Sequence, residues 1–123
     1  MIVNYNGKQY LKNCLSTLSA QSYPAIEVIF VDNGSSDGSA EYVRKEFLSV
    51  RIIESRKNLG FAKGNNIGIK EARGELIATL NNDTEVTPRW LEELVGAMNS
   101  DELVGMCASK MLHSSSVKRK TVR

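Results

Sequence analysis

Short runs of β-branched and other apolar residues alternate along this chain with stretches whose apolar residues recur at helical spacing. That alternation predicts an α/β fold, Rossmann-like, with helices flanking a mostly parallel sheet. Met1 to Asn4 predicts a short first strand. Leu11, Cys14, Leu15 and Leu18 then fall at i, i+3, i+4 and i+7, the apolar stripe of a helix lying on a sheet. Tyr23-Pro24 closes that region, because the residue before a proline avoids the helical basin. A second strand is expected from Ile26 to Val31, ending at Asp32. Ser36 is placed to cap a second helix with Ala40, Val43 and Phe47 on its inner face. Val50 to Ile53 predicts a third strand. Asn58-Leu59-Gly60 predicts a loop into a third helix from Phe61 to Ala72, stopped by Gly74. Leu76 to Leu80 predicts a fourth strand. Thr87 as N-cap and Pro88 at the first helical position open a fourth helix through Asn99, with Trp90, Leu91, Leu94, Val95 and Met98 as its apolar face. Leu103 to Ala108 is expected as a fifth strand. From His113 the pattern gives way to Ser114-Ser115-Ser116 and a basic end. The expected organisation is one domain over residues 1–112 and a disordered tail over 113–123.

At 123 residues the chain is long enough to bury a core but short for an enzyme with two substrates. A net charge of +2 is too slight to argue for nucleic acid. The cations crowded at Lys118, Arg119, Lys120 and Arg123 give only a non-specific attraction. No apolar run approaches the roughly 20 residues that cross a bilayer. Met1-Ile2-Val3-Asn4 lacks the charged and apolar regions of a signal peptide. Cys14 and Cys107 have neither metal-ligand nor redox spacing, and as packed thiols they suit a reducing compartment. The cytoplasm is the expected location, with peripheral membrane attachment left open.

The chemistry gathers where strands end. The first strand leads into Asn4-Tyr5-Asn6-Gly7 and the second into Asp32-Asn33-Gly34-Ser35-Ser36-Asp37. The fourth leads into Asn81-Asn82-Asp83. Right-handed crossovers bring the C-terminal ends of parallel strands to one edge, where open α/β sheets bind their ligands. A carboxylate with amide neighbours suits Mg²⁺ or Mn²⁺, which take few protein oxygens and complete their shell with water and phosphate. Asp83 is the candidate metal ligand, though Asn-Asn-Asp also makes an ordinary turn. Asp32 is suited to a base or ribose hydroxyl, and Tyr5 to packing on a base. Asn33-Gly34 reads as a turn pair and Asp37 as a structural residue in a first helical turn. Neither a dinucleotide fingerprint nor a Walker loop is present, which argues against hydride transfer and ATP hydrolysis.

Four segments in order, Val3-Asn4-Tyr5-Asn6, Val31 to Ser39, Asn58 to Gly68 and Leu80 to Glu85, resemble the family 2 glycosyltransferases of GT-A fold. Tyr23-Pro24 and Pro88-Arg89-Trp90-Leu91 add to the likeness, which covers about residues 1 to 112 and is nearest the rhamnosyltransferase-type branch. The resemblance implies a nucleotide-sugar donor (UDP-, dTDP- or GDP-linked), a divalent metal, and transfer to a saccharide or lipid-linked acceptor with inversion. It implies that Asn4 and Asp32 contact the nucleoside. Asp83 matches the metal-binding aspartate, with Asn81 in the place of that motif's first aspartate and Asn82 between them. Asn58 and Gly60 would lie along the nucleotide pocket, with Asn65 anchoring their loop and Gly64 and Asn66 serving packing and local bonds. In the family the catalytic base lies well downstream of the metal motif, so the sequence reads as the donor-binding portion, incomplete on its C-terminal side. Asp101 and Glu102 read as solvated loop residues and His113 as a surface residue. The alternative is a non-catalytic nucleotide-binding or protein-interaction module, self-associating or docking on a missing catalytic half through an unfinished sheet edge.

Overall fold

A computed structural model describes residues 1–113. Eight elements alternate along them: β1 (Ile2–Asn4), α1 (Lys8–Ser19), β2 (Ile29–Asp32), α2 (Ser39–Glu46), β3 (Arg51–Glu54), α3 (Phe61–Glu71), β4 (Leu80–Asn81) and α4 (Trp90–Met98). The strands form one parallel sheet in the order β3-β2-β1-β4. The α/β class expected from the sequence, a parallel sheet flanked by helices, is the observed one.

Alternation of side chains along each strand sorts the sheet into two faces. Ile2 and Phe30 point to the face covered by α1 and α2, where they meet Leu11, Cys14, Leu15, Leu18 and Val43 in the main core. Val86 and Trp90 close the flank of that cluster. Val3 and Val31 point to the other face, against α3. There Gly64 and Gly68, one turn apart, let the helix backbone sit on the strands. A Cβ on Gly64 would lie 2.7 Å from Val3 Cγ1, and one on Gly68 would lie 2.1 Å from Met1 Sδ. The glycines within the helical pattern are therefore packing positions, at a cost in helix propensity.

The register sets the site. Asn4 is level with Asp32, which is level with Glu54, while Val3 is level with Asn81. The polar residues after three strands thus arrive at the same height along one edge.

Several boundaries differ from expectation, and each has a physical reason. The second strand begins at Ile29 rather than Ile26, because residues 26 and 27 lie beyond the end of β3, whose first paired residue, Arg51, is opposite Ile29. Glu27 instead pairs with Arg51, which also holds Glu71, and accepts the Arg73 backbone N–H. The fourth strand is only Leu80–Asn81, since β1 is short and offers bonds only to that length. Ser36 does not cap α2. Gly38 occupies the cap at φ 79°, and the Asp37 carboxylate beside it receives the Ser39 N–H. Helix α4 begins at Trp90, whose N–H bonds the Thr87 carbonyl. The expected fifth strand over Leu103 to Ala108 does not form. Among the described residues the segment joins no strand; it turns at Asp101, whose carboxylate receives the Leu103 N–H, and leaves Leu103 92% and Met106 87% exposed. Apolar content there is not matched by a bonding partner, and a strand needs both. The tail expected after His113 lies outside the described residues.

Candidate donor-binding site

At the C-terminal edge of the sheet, on the α3 face, opens a cleft of about 390 Å³ lined by Val3, Tyr5, Asn33, Asn58, Gly60, Phe61 and Asn81 to Asp83. Six residues singled out in the sequence meet there: Tyr5, Asn58, Gly60, Asn81, Asn82 and Asp83. Tyr5 and Phe61 are exposed at 51% and 64%, so two aromatic faces flank the opening. Ring faces of this kind stack on planar bases, which amide side chains then orient.

Asn33 organises one wall. Its side chain is buried and sits at the junction of β2 with the loop entering α3. Nδ2 donates to Asn58 Oδ1 (3.0 Å) and to the Gly60 carbonyl (3.2 Å). Oδ1 accepts from the Leu59 N–H (3.0 Å) and the Ser55 hydroxyl (3.3 Å). Asn58 Oδ1 also receives the Gly60 N–H, so the loop is fixed from within and from below. Asn33 and not Asn65 is therefore the loop's anchor; Asn65 bonds back to the Phe61 carbonyl of its own helix. Gly34 must be glycine, with φ 80° and a would-be Cβ 2.6 Å from the Lys57 backbone.

The opposite wall carries Asp83 and is strapped to α1. Cys14 Sγ donates to the Asn81 carbonyl, Asn13 Nδ2 to Glu85 Oε1, and Thr17 Oγ1 accepts the Val86 N–H. Burial pushes the Cys14 thiol up to about 11, and the nearby Asp83 and Glu85 carboxylates add to that against the bond at Thr84. Cys14 is thus a packed, protonated thiol; Cys107, also free, is half-buried.

Asn4 and Asp32 do not line the cleft. Alternation along β1 and β2 turns them to the α1 face, where both are buried, while Val3 and Asn33 turn toward the cleft. Asp32 accepts the Ser35 N–H (3.0 Å) and an N–H of Asn4 (3.3 Å). Asp37 sits at the N-termini of two helices, accepting the backbone N–H of Lys8 and of Ser39. Burial pushes its carboxyl up, but the bonds from the Ser39 hydroxyl and from the Lys8 and Ser39 backbone outweigh this and leave it below the ordinary carboxylate value.

The donor set at Asp83 fits a hard divalent cation. No group of three or more His, Cys, Asp or Glu side chains gathers among the described residues. Among the described residues Asp83 is the one carboxylate lining the cleft, with Asn81 and Asn82 beside it, an arrangement in which Mg²⁺ or Mn²⁺ would take its remaining ligands from phosphate and water.

Over residues 1–123 the sequence matches the family model described as glycosyl transferase family 2. The chain belongs to that family. Among relatives within it, glycosyltransferase GlyG of Streptococcus pneumoniae is 33% identical over 107 residues, 82% of this chain and 36% of the relative. The dodecaprenyl-phosphate galacturonate synthase of Rhizobium johnstonii is 38% identical over 87 residues, 67% of this chain and 26% of the relative. The mannosyltransferase PcManGT of Pyrobaculum calidifontis, solved in complex with GDP-Man and Mn²⁺, superposes with a TM-score of 0.79 at 25% identity, over 89% of this chain and 34% of that one. Staphylococcus aureus TarS, solved with UDP, superposes at 0.75 with 21% identity over 89% and 37%, a likeness of fold. This family 2 chain thus spans about a third of the length of the relatives it matches.

Proposed function

We propose that this family 2 domain binds a nucleoside diphosphate sugar with a divalent metal, for transfer of the sugar to an acceptor hydroxyl with inversion. The observation that carries the reading is the strand-edge cleft, which sets aromatic and amide groups on one side and a lone carboxylate on the other. Tyr5 and Phe61 would flank the base, and the Asn58–Gly60 loop held by Asn33 would run along the nucleoside. Asn81 and Asn82 would meet the diphosphate, and Asp83 would hold Mg²⁺ or Mn²⁺ there. When bound, the metal supplies charge neutralisation for the departing diphosphate. The residues of the cleft wall fix where that charge develops, so little reorganisation is needed as the bond breaks.

Inverting transfer also needs a base for the acceptor hydroxyl. Among the described residues Asp83 is the one carboxylate in the cleft lining, and it is committed to the metal in this reading. Asp101 is exposed and occupied by the Leu103 N–H, and Glu102 is exposed, so neither is assigned that role. Work in the cytoplasm on a saccharide or lipid-linked acceptor belongs to the same reading. No helix among the described residues is long and apolar enough to cross a membrane. A second reading, a nucleotide-binding or interaction module without turnover, is favoured by the uncovered apolar flank of Leu103, Met106, Met111 and Leu112.

Calorimetric titration of UDP, dTDP and GDP, with and without Mn²⁺, tests the donor site. Binding that Mn²⁺ tightens at least ten-fold, and that Asp83→Ala returns to its metal-free value, is the expected result. A folded wild-type protein that binds none of the three would overturn the reading and leave the interaction module.

A further inference from the structure

We infer that Asn4 is a positioning residue that ties the nucleoside side of the cleft to its metal side, an inference that rests on the donor-site reading above. Its side chain is fully buried, so it touches no ligand in this conformation. Nδ2 donates to Asp32 Oδ1 (3.3 Å) and to Ser35 Oγ (3.1 Å), while Oδ1 accepts from Asn82 Nδ2 (2.7 Å). A carboxamide is suited to this place because it donates and accepts at once; a carboxylate or an apolar isostere cannot do both. One arm reaches the Asp32–Ser35 turn, which the Asp32 carboxylate closes on itself through the Ser35 N–H. The other arm reaches Asn82, whose neighbour is Asp83. Three loops separated by up to 78 residues in the chain therefore share one buried group.

Gly7 supplies an independent mark of the same bond. Its φ of −112° is open to any residue, so the backbone does not require glycine there. Space does: a Cβ would lie 2.2 Å from Asn82 Nδ2 and 2.6 Å from Asn4 Oδ1, the two atoms of the Asn4–Asn82 bond. The chain leaves out a side chain where one would push that pair apart.

The consequence is coupling. If Asn4 fixes Asn82, and through it the placement of Asp83, then splitting the bond weakens the metal's contribution while leaving the Asp32–Ser35 turn closed. Coupling of this kind is reciprocal, so nucleotide would also tighten Mn²⁺.

The test compares wild type, Gly7→Ala and Asn4→Ala by titrating UDP and GDP with and without Mn²⁺, after cooperative thermal unfolding has been verified. Gly7→Ala should keep metal-free affinity within about two-fold and lose about five-fold of the tightening by Mn²⁺, the scale of one hydrogen bond. Asn4→Ala should lose at least as much of that tightening. Undiminished tightening in folded Gly7→Ala would overturn the inference. So would equal weakening of both arms, the mark of a merely structural role. A wild type without metal-tightened binding would instead overturn the donor-site reading, and this inference with it.

Discussion

Replacing Asn33 by alanine should cost about 2–3 kcal/mol of stability and loosen one wall of the cleft. Four hydrogen bonds disappear: two donated to Asn58 and Gly60, two accepted from Leu59 and Ser55. At a net value of about 0.5–1.5 kcal/mol each they sum to roughly 2–6 kcal/mol. Asn58 and Gly60 are exposed, so water takes over as their donor and the cost falls to the lower part of that range. The half-buried Leu59 N–H carries most of the rest, since the Ser55 hydroxyl keeps the Lys57 carbonyl as its acceptor. Urea unfolding at unchanged slope reads this directly. With m of about 1–3 kcal/mol per molar, the midpoint should drop by roughly 0.7–3 M. Amide hydrogen exchange adds the local signature, with Leu59 and Gly60 losing protection before the sheet does. A midpoint shift worth under about 0.5 kcal/mol, with the Leu59 amide still protected, would refute the claim that Asn33 holds this loop.

Two further outcomes follow from single positions. Gly34→Ala should destabilise by about 2–5 kcal/mol, combining a left-handed backbone with overlap against the Lys57 main chain, and urea unfolding checks it. Asp37→Asn keeps one acceptor oxygen but loses the charge and the second acceptor at two helix N-termini, and should cost about 0.3–1 kcal/mol at pH 7. The Asp37 carboxyl is depressed in the folded state, so its contribution is present above its ordinary value of 3.8 and fades as pH falls through the lower folded value. The gap between wild type and Asp37→Asn should therefore close on acidification below about pH 4; a gap that is constant from pH 7 to pH 3 would contradict it.

Much of this architecture was legible because local pattern and global fold agree. The helical stripe of Leu11, Cys14, Leu15 and Leu18 is the buried face of α1. The convergence of three polar segments followed from parallel strands and their crossovers alone. Three things were hidden. Apolar composition at Leu103 to Ala108 says nothing about whether a neighbouring strand exists to bond. Asn33 looked like half of an Asn-Gly turn, because its partners lie 22 to 27 residues away and only tertiary structure brings them together. Asn4 and Asp32 are expected at the nucleoside, Asp32 from its place at a strand end and Asn4 from the family resemblance. A finer use of the two-residue period would have set them opposite Val3 and Asn33, and so away from the cleft.

The order of the sheet also governs when the molecule becomes itself. Among the described strands β1 is made before the others yet lies inside the sheet, and one of its two neighbours, β4, is made some 78 residues later. At ordinary rates of synthesis that interval is roughly 4 to 16 s. Once β2 and β3 have been made, the three-stranded β1–β2–β3 sheet has its pairing groups satisfied on one side of β1 only. The other side is an open, apolar strand edge of the kind that chaperones cover and that neighbouring nascent chains can capture. The edge closes when Leu80 and Asn81 pair, and the Asn82 bond to Asn4 follows in the same turn. Of the described strands, the last to arrive on a growing chain is thus the one that leads into the cleft's acidic wall, so a ribosome-bound intermediate would carry the Asn33–Gly60 wall before it has the Asp83 wall.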